Sequence, residues 1–242
     1  RYLSSAASDV YKRQVDIQHG ALDYSDVLPM FQAMQSSGAT LIARVPWRDP
    51  GYIMKALDVG AMGIICPMIN NSEEAAEFIS YMRYPPLGQR SFGPTRVAVS
   101  VPDYGVEAND EVLAFAMIET ADGVQNLEAI AATAGLDGIY VGPADLTLGT
   151  QLGRLAPGLD RTEDEMVTLI QKVASVCKEY GLIAGIHCGT AEYASKAIGW
   201  GYNLTTIGGD TRLLASAAAA SVSSWRKLTG RKEKAQVTGG VY

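Results

Sequence analysis

The chain has 242 residues, of which 48% are hydrophobic and 19% charged, and its formal net charge at pH 7 is −6. This length suits one large α/β domain or two small ones with a well-packed core. The acidic balance argues against a nucleic-acid partner, since the basic run at 226–234 lies only in the C-terminal segment. No apolar run approaches the roughly 20 residues that a membrane-spanning helix needs, so no membrane partner is expected either.

Short apolar runs alternate with helical patterns along the chain, which predicts parallel strands joined by helices. The runs are almost continuously apolar, as expected of parallel strands that are covered on both faces. Seven strands are predicted, at 15–18, 39–45, 62–68, 111–118, 136–141, 182–188 and 203–209. Helices are predicted at 50–60, 72–82, 121–135, 162–177, 191–201 and 211–225.

Several of these helices carry specific signals at their ends. Pro50 and Gly60 are placed to begin and end one helix, and Ser72 is the predicted N-cap of the next. Thr162 and Glu165 have the spacing of a capping box. The helix that they open has apolar residues spaced for one face, at Met166, Leu169, Ile170, Val173, Val176 and Cys177.

Two architectures fit this alternation, an open doubly wound sheet and a (β/α)8 barrel. The first predicted strand is not followed by the Gly-x-Gly-x-x-Gly motif of dinucleotide-binding sheets. Polar and glycine residues instead come just after the strands, at His19, Arg44, Glu119, Asp145, His187 and Gly208–Gly209. Function at the carboxyl ends of the strands is typical of a TIM barrel, which needs eight strands. We therefore predict a (β/α)8 TIM barrel that is truncated at its N-terminus and lacks its first βα unit.

The N-terminal segment 4–14 does not have the pattern of a strand, a cap or a helix. Its eleven residues match the translation of a transposase-type sequencing-library adapter, so we interpret 1–14 as a non-native segment that could still extend the first strand. The predicted organisation is then a single barrel domain at 15–228, followed by a polar C-terminal tail at 229–242.

The three cysteines, Cys66, Cys177 and Cys188, are not clustered. This spacing predicts no disulfide framework and favours a reducing, cytoplasmic location. Each cysteine lies in an apolar run, so we expect all three to be buried in the core.

Glu119 and Asp145 each follow an apolar strand run, in consecutive βα units. Adjacent parallel strands lie about 4.8 Å apart, so carboxylates at their ends can converge on one divalent cation. The alternative is that both are caps or first-turn acids of the helices that follow.

His19 comes three residues after Asp16, at the end of the first predicted strand. A carboxylate that holds an imidazole fixes its tautomer and raises its basicity, which suits a general base; the alternative is a histidine that caps a turn. Arg44 ends the second strand, where it could stabilise a developing oxyanion or form a salt bridge with a loop acid.

The segment Gly142, Pro143, Ala144 and Asp145 could present successive backbone N–H groups to a carboxylate. His187 is interpreted as structural, because its neighbours are apolar and small. A base, an oxyanion donor and two metal carboxylates together are the groups needed to remove a proton next to a carbonyl and stabilise the enolate.

Four segments, 15–20, 43–75, 84–94 and 116–146, resemble the metal-dependent class II pyruvate aldolases of the 4-hydroxy-2-oxoheptanedioate aldolase family. This family includes 2-keto-3-deoxy-L-rhamnonate aldolases and is related to the citrate lyase β-chain. The resemblance implies a barrel of the phosphoenolpyruvate/pyruvate superfamily and a homohexamer of dimers that exchange their last helix. It also implies aldol cleavage of a 4-hydroxy-2-oxo acid to pyruvate, or a close 2-oxo acid, and an aldehyde.

The same resemblance assigns roles to individual residues. It makes His19 and Asp16 the base/acid dyad and Arg44 the arginine that stabilises the enolate. Glu119 and Asp145 become the ligands of Mg²⁺, Mn²⁺ or Co²⁺. The backbone amides within 142–145 become the site of the pyruvate carboxylate. The chain departs from the family pattern at Gln18, where members often carry Glu, and at Met117, where some carry Gln.

Three other interpretations remain open. One is a lyase that acts on a CoA thioester, as the citrate lyase relatives do. Another is a barrel for phosphorylated sugars, with 187–190 and 206–210 as the phosphate-binding loops. The third is a non-catalytic fragment, because an open barrel exposes two strand edges.

Overall fold

The computed structural model describes residues 12–19 and 21–232. At its centre is a seven-stranded sheet in which the strands follow one another in chain order and each pairs in parallel with the next. The strands are β1 (Lys12–Asp16), β2 (Thr40–Arg44), β3 (Gly63–Cys66), β4 (Leu113–Ile118), β5 (Gly138–Val141), β6 (Ile183–Cys188) and β7 (Leu204–Ile207).

Helices connect the strands and cover one face of the sheet. They are α1 (Tyr24–Gln35), α2 (Pro50–Asp58), α3 (Ser72–Met82), α4 (Val97–Ser100), α5 (Tyr104–Glu111), α6 (Ala121–Gln125), α7 (Leu127–Ala131), α8 (Pro143–Gln151), α9 (Asp164–Glu179), α10 (Ala191–Gly199) and α11 (Asp210–Leu228). The sequence pattern did not predict α1, α4, α5 or α8.

The prediction of seven parallel strands is confirmed. The first strand begins at Lys12 rather than at Val15, so Lys12–Gln14 of the segment interpreted as non-native pair with β2. The rest of that segment and positions 233–242 of the tail lie outside the described residues. In the described part of the chain β1 and β7 form the two edges of the sheet, so closure into an eight-stranded barrel stays a prediction.

The two faces of the sheet carry different residues, because side chains alternate along each strand. One face packs against the helices in the main core, which contains all three cysteines, as predicted. The other, which we call the inner face, carries a cluster made of strand residues alone: Ile42, Ile65, Leu113, Phe115, Met117, Tyr140 and Leu204, with Ile183 against them. No helix residue belongs to this cluster among the described residues, as expected of a sheet that curls around its own side chains.

Two predicted helix caps are wrong. Asn71, not Ser72, is the N-cap of α3, since its extended backbone lets the side chain accept the amide of Glu74 at 2.8 Å. The predicted Thr162 capping box does not form, because α9 begins at Asp164 with Glu163 as its N-cap. The Glu163 carboxylate binds Arg161 and the Thr162 amide instead.

The predicted helix at 121–135 is also wrong as a single element. It divides into α6 and α7 at Asn126, whose side chain donates to the Asn70 carbonyl at 2.8 Å, and it ends at Ala131. The apolar stripe of α9 is confirmed, with Leu169 partly buried and the other five members buried.

The last helix, α11, differs from the others because none of its residues is buried. Its exposed large apolar residues are Leu213, Leu214, Val222, Trp225 and Leu228. Within the described ranges, no helix has both the length and the apolar character needed to cross a bilayer.

Candidate active site

Polar side chains gather at the carboxyl ends of the strands. All seven strands are parallel, so these ends meet at one edge of the sheet. Asp16 ends β1, Arg44 ends β2, Glu119 follows β4 and Asp145 follows β5. Asp16 and Arg44 are direct partners in the β1–β2 register, so their side chains project from the same face.

The Asp16 carboxylate holds Arg44 with both of its oxygens. Arg44 Nε donates to Asp16 Oδ1 at 3.0 Å, and Arg44 Nη2 donates to Asp16 Oδ2. The third nitrogen, Nη1, faces the sulfur of Met117 at 4.0 Å. Burial lowers the pKa of Arg44, but the hydrogen bonds and charge of Asp16 outweigh that effect, and the pKa is raised. Arg44 is therefore a fixed cation on the inner face.

His19 lies in the turn after β1 and is exposed. Its backbone amide donates to Asp16 Oδ1 at 3.4 Å, and the amide of Gln18 donates to the same oxygen at 3.0 Å. Asp16 thus fixes the turn that carries His19, while its side-chain partner is Arg44. The pairing of the His19 ring with Asp16 stays a prediction.

Glu119 is a buried carboxylate with only one of its oxygens in a hydrogen bond. Its exposed fraction is 1%, and Oε1 accepts the backbone amide of Met68 at 2.8 Å. Oε2 is fully buried and has no hydrogen-bond partner among the described residues. The pKa of Glu119 is raised to about 7, because burial and the charge of Asp145 raise it by more than the Met68 amide and the charge of Arg44 lower it. Oε2 therefore feels the charge of Arg44 but has no hydrogen-bond donor among the described residues.

Sequence reasoning missed the loop that holds Glu119. Met68 has a positive φ of 57°, which turns its amide toward the carboxylate. The side chain of Asn70 supports this loop by donating to the Met68 carbonyl at 2.9 Å and accepting from the Thr120 hydroxyl at 2.5 Å. No sequence signal marks this support, because a positive φ at methionine is rare.

Gly142 provides the space in front of the Glu119 carboxylate. A Cβ atom at position 142 would lie 2.6 Å from Glu119 Oε2, closer than real Cβ contacts. Gly142 is also the N-cap of α8, in which Pro143 is the first residue and Asp145 lies in the first turn. The amides of Ala144 and Asp145 are therefore among the helix N–H groups that have no partner within a helix. Such a terminus suits a carboxylate ligand.

The donor set fits a divalent cation. Glu119 Oε2 is an unpaired buried acceptor, and Asp145 is close enough to act on its charge. Hard cations such as Mg²⁺ take carboxylate oxygens and keep several waters, so two protein ligands are sufficient. No group of three or more His, Cys, Asp or Glu side chains converges on a possible metal position in the described ranges. The alternative for Asp145, a first-turn acid, describes its place in α8 equally well.

A second polar group on the inner face joins three strands. The hydroxyl of Tyr140 on β5 lies 3.0 Å from Thr206 Oγ1 on β7 and 3.4 Å from His187 Nδ1 on β6. Thr206 Oγ1 lies 2.9 Å from His187 Nδ1. Sequence reasoning took His187 as structural and did not select Tyr140 or Thr206. These three residues share a position on the inner face, and that position can be recognised only from the strand register.

A family model described as HpcH/HpaI aldolase/citrate lyase matches residues 14–217. Among the similar proteins is the hydroxypyruvate/pyruvate aldolase of Rhizorhabdus wittichii, 37% identical over 215 residues, or 88% of this chain and 84% of that protein. The 5-keto-4-deoxy-D-glucarate aldolase of Klebsiella pneumoniae is 31% identical over 216 residues, or 88% of this chain and 82% of that protein.

Solved structures of similar proteins share the fold. An HpcH/HpaI aldolase from Desulfitobacterium hafniense has a TM-score of 0.83 at 24% identity, covering 93% of this chain and 87% of that one. An aldolase/citrate lyase family protein from Burkholderia cenocepacia has a TM-score of 0.79 at 31% identity, covering 88% and 84%. The chain therefore belongs to the HpcH/HpaI aldolase/citrate lyase family.

Proposed function

We propose that the chain is a divalent-metal-dependent class II aldolase. It cleaves a 4-hydroxy-2-oxo acid reversibly into pyruvate, or a close 2-oxo acid, and an aldehyde. The observation that carries this proposal is the unpaired Oε2 of buried Glu119, placed beside Asp145 and behind the space left by Gly142. The names of the aldolases to which the chain is similar support the reaction class.

Glu119 and Asp145 would hold the cation, as Mg²⁺, Mn²⁺ or Co²⁺. When bound, such an ion supplies Lewis acidity to the carbonyl of a 2-oxo acid. The amides of Ala144 and Asp145, at the N-terminus of α8, would bind the substrate carboxylate. Gly142 leaves room for the Glu119 carboxylate and for Met117 Cε, which a Cβ atom at this position would meet at 2.6 and 2.4 Å.

Arg44 would stabilise the enolate oxygen that develops as the carbon–carbon bond breaks. Its Nε and Nη2 are bound to Asp16, whereas within the described ranges Nη1 meets only the weak acceptor sulfur of Met117. One donor is thus available at little cost, in a side chain already oriented by its carboxylate. Preorganised donors of this kind act mainly on the transition state.

His19 would move the proton. In the cleavage direction its imidazole takes the proton of the C4 hydroxyl, the C3–C4 bond breaks, and the electron pair passes to the enolate of the 2-oxo acid. The aldehyde leaves, and the imidazolium returns the proton to C3, so that proton and electrons balance. An imidazole is the side chain best suited to take up and return a proton in this way, and His19 is exposed at the carboxyl edge of the sheet.

Two architectural proposals accompany the function. In the part of the chain that the structure describes, β1 and β7 are the edges of the sheet, which supports closure into a (β/α)8 barrel by one further βα unit, with 15–228 as the domain. The absence of buried residues on α11 supports packing of this helix against a second copy, in a hexamer of three dimers. Light scattering coupled to size exclusion measures that assembly directly.

The function is tested by following pyruvate release from 4-hydroxy-2-oxo acids with lactate dehydrogenase. The chain is assayed after EDTA treatment and again with Mn²⁺ or Mg²⁺. We expect release only with the added metal. Equal release in EDTA would overturn the metal assignment, and cleavage of a CoA thioester without any pyruvate release would favour the lyase alternative.

A further inference from the structure

The group formed by Tyr140, His187 and Thr206, which we call the inner-face triad, has no role in the proposed mechanism. His187 and Thr206 are direct partners in the β6–β7 register. Tyr140 pairs with Gly185, and a Cβ atom at that glycine would lie 2.6 Å from the tyrosine ring. The ring therefore passes over Gly185 to reach the other two residues. The absence of a side chain at 185 makes the triad possible.

The hydrogen bonds of the triad favour one tautomer of His187. The Tyr140 side chain is fully buried, and among the described residues its hydroxyl has hydrogen-bond partners only in Thr206 Oγ1 and His187 Nδ1. If Tyr140 donates to Thr206 and Thr206 donates to Nδ1, both hydroxyl protons have an acceptor. A proton on Nδ1 would leave one of the three protons without an acceptor inside the triad. The arrangement that satisfies every proton within the triad therefore has Nδ1 as the acceptor and the ring proton on Nε2.

The environment also keeps His187 neutral. Its pKa is lowered to about 4, because burial and the charge of Arg44 lower it by more than the charge of Asp16 raises it. A neutral imidazole with Nδ1 occupied offers one donor, Nε2–H. Nε2 has no hydrogen-bond partner in the part of the chain that the structure describes, and it is not completely buried. It is therefore open to solvent.

The position of this donor relates it to the substrate. His187 belongs to the inner face and is close enough to Arg44 and Asp16 for their charges to act on it. It lies on β6, beside β5, which leads into the proposed carboxylate site at Ala144 and Asp145. His187 is the next-to-last residue of β6, so it lies at the same edge of the sheet as Arg44, which ends β2, and α8, which follows β5.

We propose that His187 is a specificity-determining residue that donates a hydrogen bond from Nε2–H to a hydroxyl group of the aldehyde half of the substrate. The inference rests on the proposed aldolase function and adds the substrate class: hydroxyaldehydes rather than simple aldehydes. Tyr140 and Thr206 act through His187 as positioning residues, since they fix its tautomer and ring orientation. A site built to bind a hydroxyl discriminates against analogues that lack it.

The test compares two aldehydes that differ by one hydroxyl. Consumption of pyruvate with glycolaldehyde and with acetaldehyde is measured in the presence of Mn²⁺, for the unmodified chain and for His187→Leu. The ratio of the two kcat/KM values cancels the intrinsic reactivity of the aldehydes when the proteins are compared. We expect the preference for glycolaldehyde to fall about tenfold in His187→Leu, as for one lost hydrogen bond, mainly through KM.

Three further variants separate specificity from folding. His187→Gln keeps a donor and an acceptor and should retain most of the preference. Thr206→Val removes the hydroxyl that contacts Nδ1, so the ring is no longer held in one tautomer, and part of the preference for glycolaldehyde should be lost. Thr205→Val is the matched control, because the neighbouring Thr205 projects from the opposite face and should change nothing.

The outcomes distinguish this inference from the function on which it rests. Turnover of both aldehydes with the same ratio in the unmodified chain and in His187→Leu would overturn the role of His187 and leave the aldolase intact. Turnover of neither aldehyde by the unmodified chain would overturn both. A ratio that falls equally in Thr205→Val and Thr206→Val would show a general packing effect and reject the triad.

Discussion

Two acidic regions at the same edge of the sheet differ in how their charge is balanced. At β1 and β2, both oxygens of Asp16 are bound by Arg44, so the pair is complete without a ligand. At β4 and β5, Glu119 has one buried oxygen without a partner, and the nearby charge of Asp145 adds repulsion. An unpaired buried carboxylate costs stability, so a chain that keeps one gains something from it. The contrast assigns the orientation of the Arg44 side chain to Asp16, and the binding of a cation to Glu119 and Asp145.

The largest effect is expected at the incomplete region. Glu119→Gln should weaken Mn²⁺ binding by more than about 100-fold, since loss of a direct ligand exceeds the cost of losing a supporting contact. The same change removes a buried charge, so the metal-free chain should gain about 1 kcal/mol in free energy of unfolding. Calorimetric titration and urea unfolding measure the two effects.

Asp122→Asn is the control for that change, because Asp122 is an exposed first-turn acid of α6. It should leave Mn²⁺ binding unaltered. If Glu119→Gln and Asp122→Asn bound Mn²⁺ equally well, the cation would have to lie elsewhere.

A substitution in the complete region, at Asp16 or Arg44, should lower the catalytic rate rather than the affinity for the metal. Arg44→Ala removes the oxyanion donor and is expected to cost about 2–4 kcal/mol of transition-state stabilisation. Mn²⁺ affinity should not fall, because Arg44 donates its hydrogen bonds to Asp16, and its positive charge, which acts on Glu119, does not attract a cation. Pyruvate release with saturating Mn²⁺ provides the measurement. The exposed Arg13 of β1 offers a control, as Arg13→Ala, and near-full turnover in Arg44→Ala would remove this arginine from the mechanism.

A smaller and purely steric effect is expected at Gly142. Gly142→Ala places a methyl group against Met117 Cε and Glu119 Oε2 and should weaken Mn²⁺ binding about 10-fold, by displacing the ligand without removing it. Gly199→Ala is the matched control, since a Cβ atom at that helical position meets nothing within 4 Å. Equal Mn²⁺ affinity in the two variants would contradict the proposed crowding.

The smallest effect concerns stability against pH. The pKa of His187 is lowered from 6.5 to about 4 in the folded chain, so the unfolded chain binds the proton first as pH falls. Stability from His187 is therefore present above pH 6.5 and lost toward pH 4, by an amount on the order of 2 kcal/mol. Arg44 and Arg212 favour the neutral ring, whereas Asp16 and Asp160 oppose it.

Urea unfolding of the unmodified chain and of His187→Gln, at pH 7 and at pH 4.5, measures this difference. Subtracting the stability of the variant from that of the unmodified chain cancels the contributions of the other titrating groups. A difference in stability that did not change with pH would contradict a neutral, buried His187.

The sheet was predictable from the sequence, whereas the contacts that complete the site were not. Near-continuous apolar runs identified all seven strands, and their common direction placed Arg44, Glu119 and Asp145 at one edge. The exact helix caps were not predictable, because neighbouring residues can occupy the same capping position. Asn71 and Ser72 are both good N-caps and adjacent in sequence, and only the backbone conformation decides between them.

Contacts between distant segments were the other limit. The unusual backbone of Met68, which gives Glu119 its only hydrogen bond among the described residues, leaves no compositional mark. Tyr140 and Thr206 are 66 positions apart, and their meeting depends on register across three strands and on the missing side chain at Gly185. Burial patterns predict which face a residue occupies but not which residue it meets there.

The most direct test of the central claim is the position of the cation itself. Crystals soaked in Mn²⁺ are examined by anomalous diffraction at the manganese edge. We predict one strong peak within coordination distance of Glu119 Oε2 and a carboxylate oxygen of Asp145. A peak elsewhere, or none at a concentration of Mn²⁺ that supports pyruvate release, would contradict the assignment of the incomplete region as the metal site.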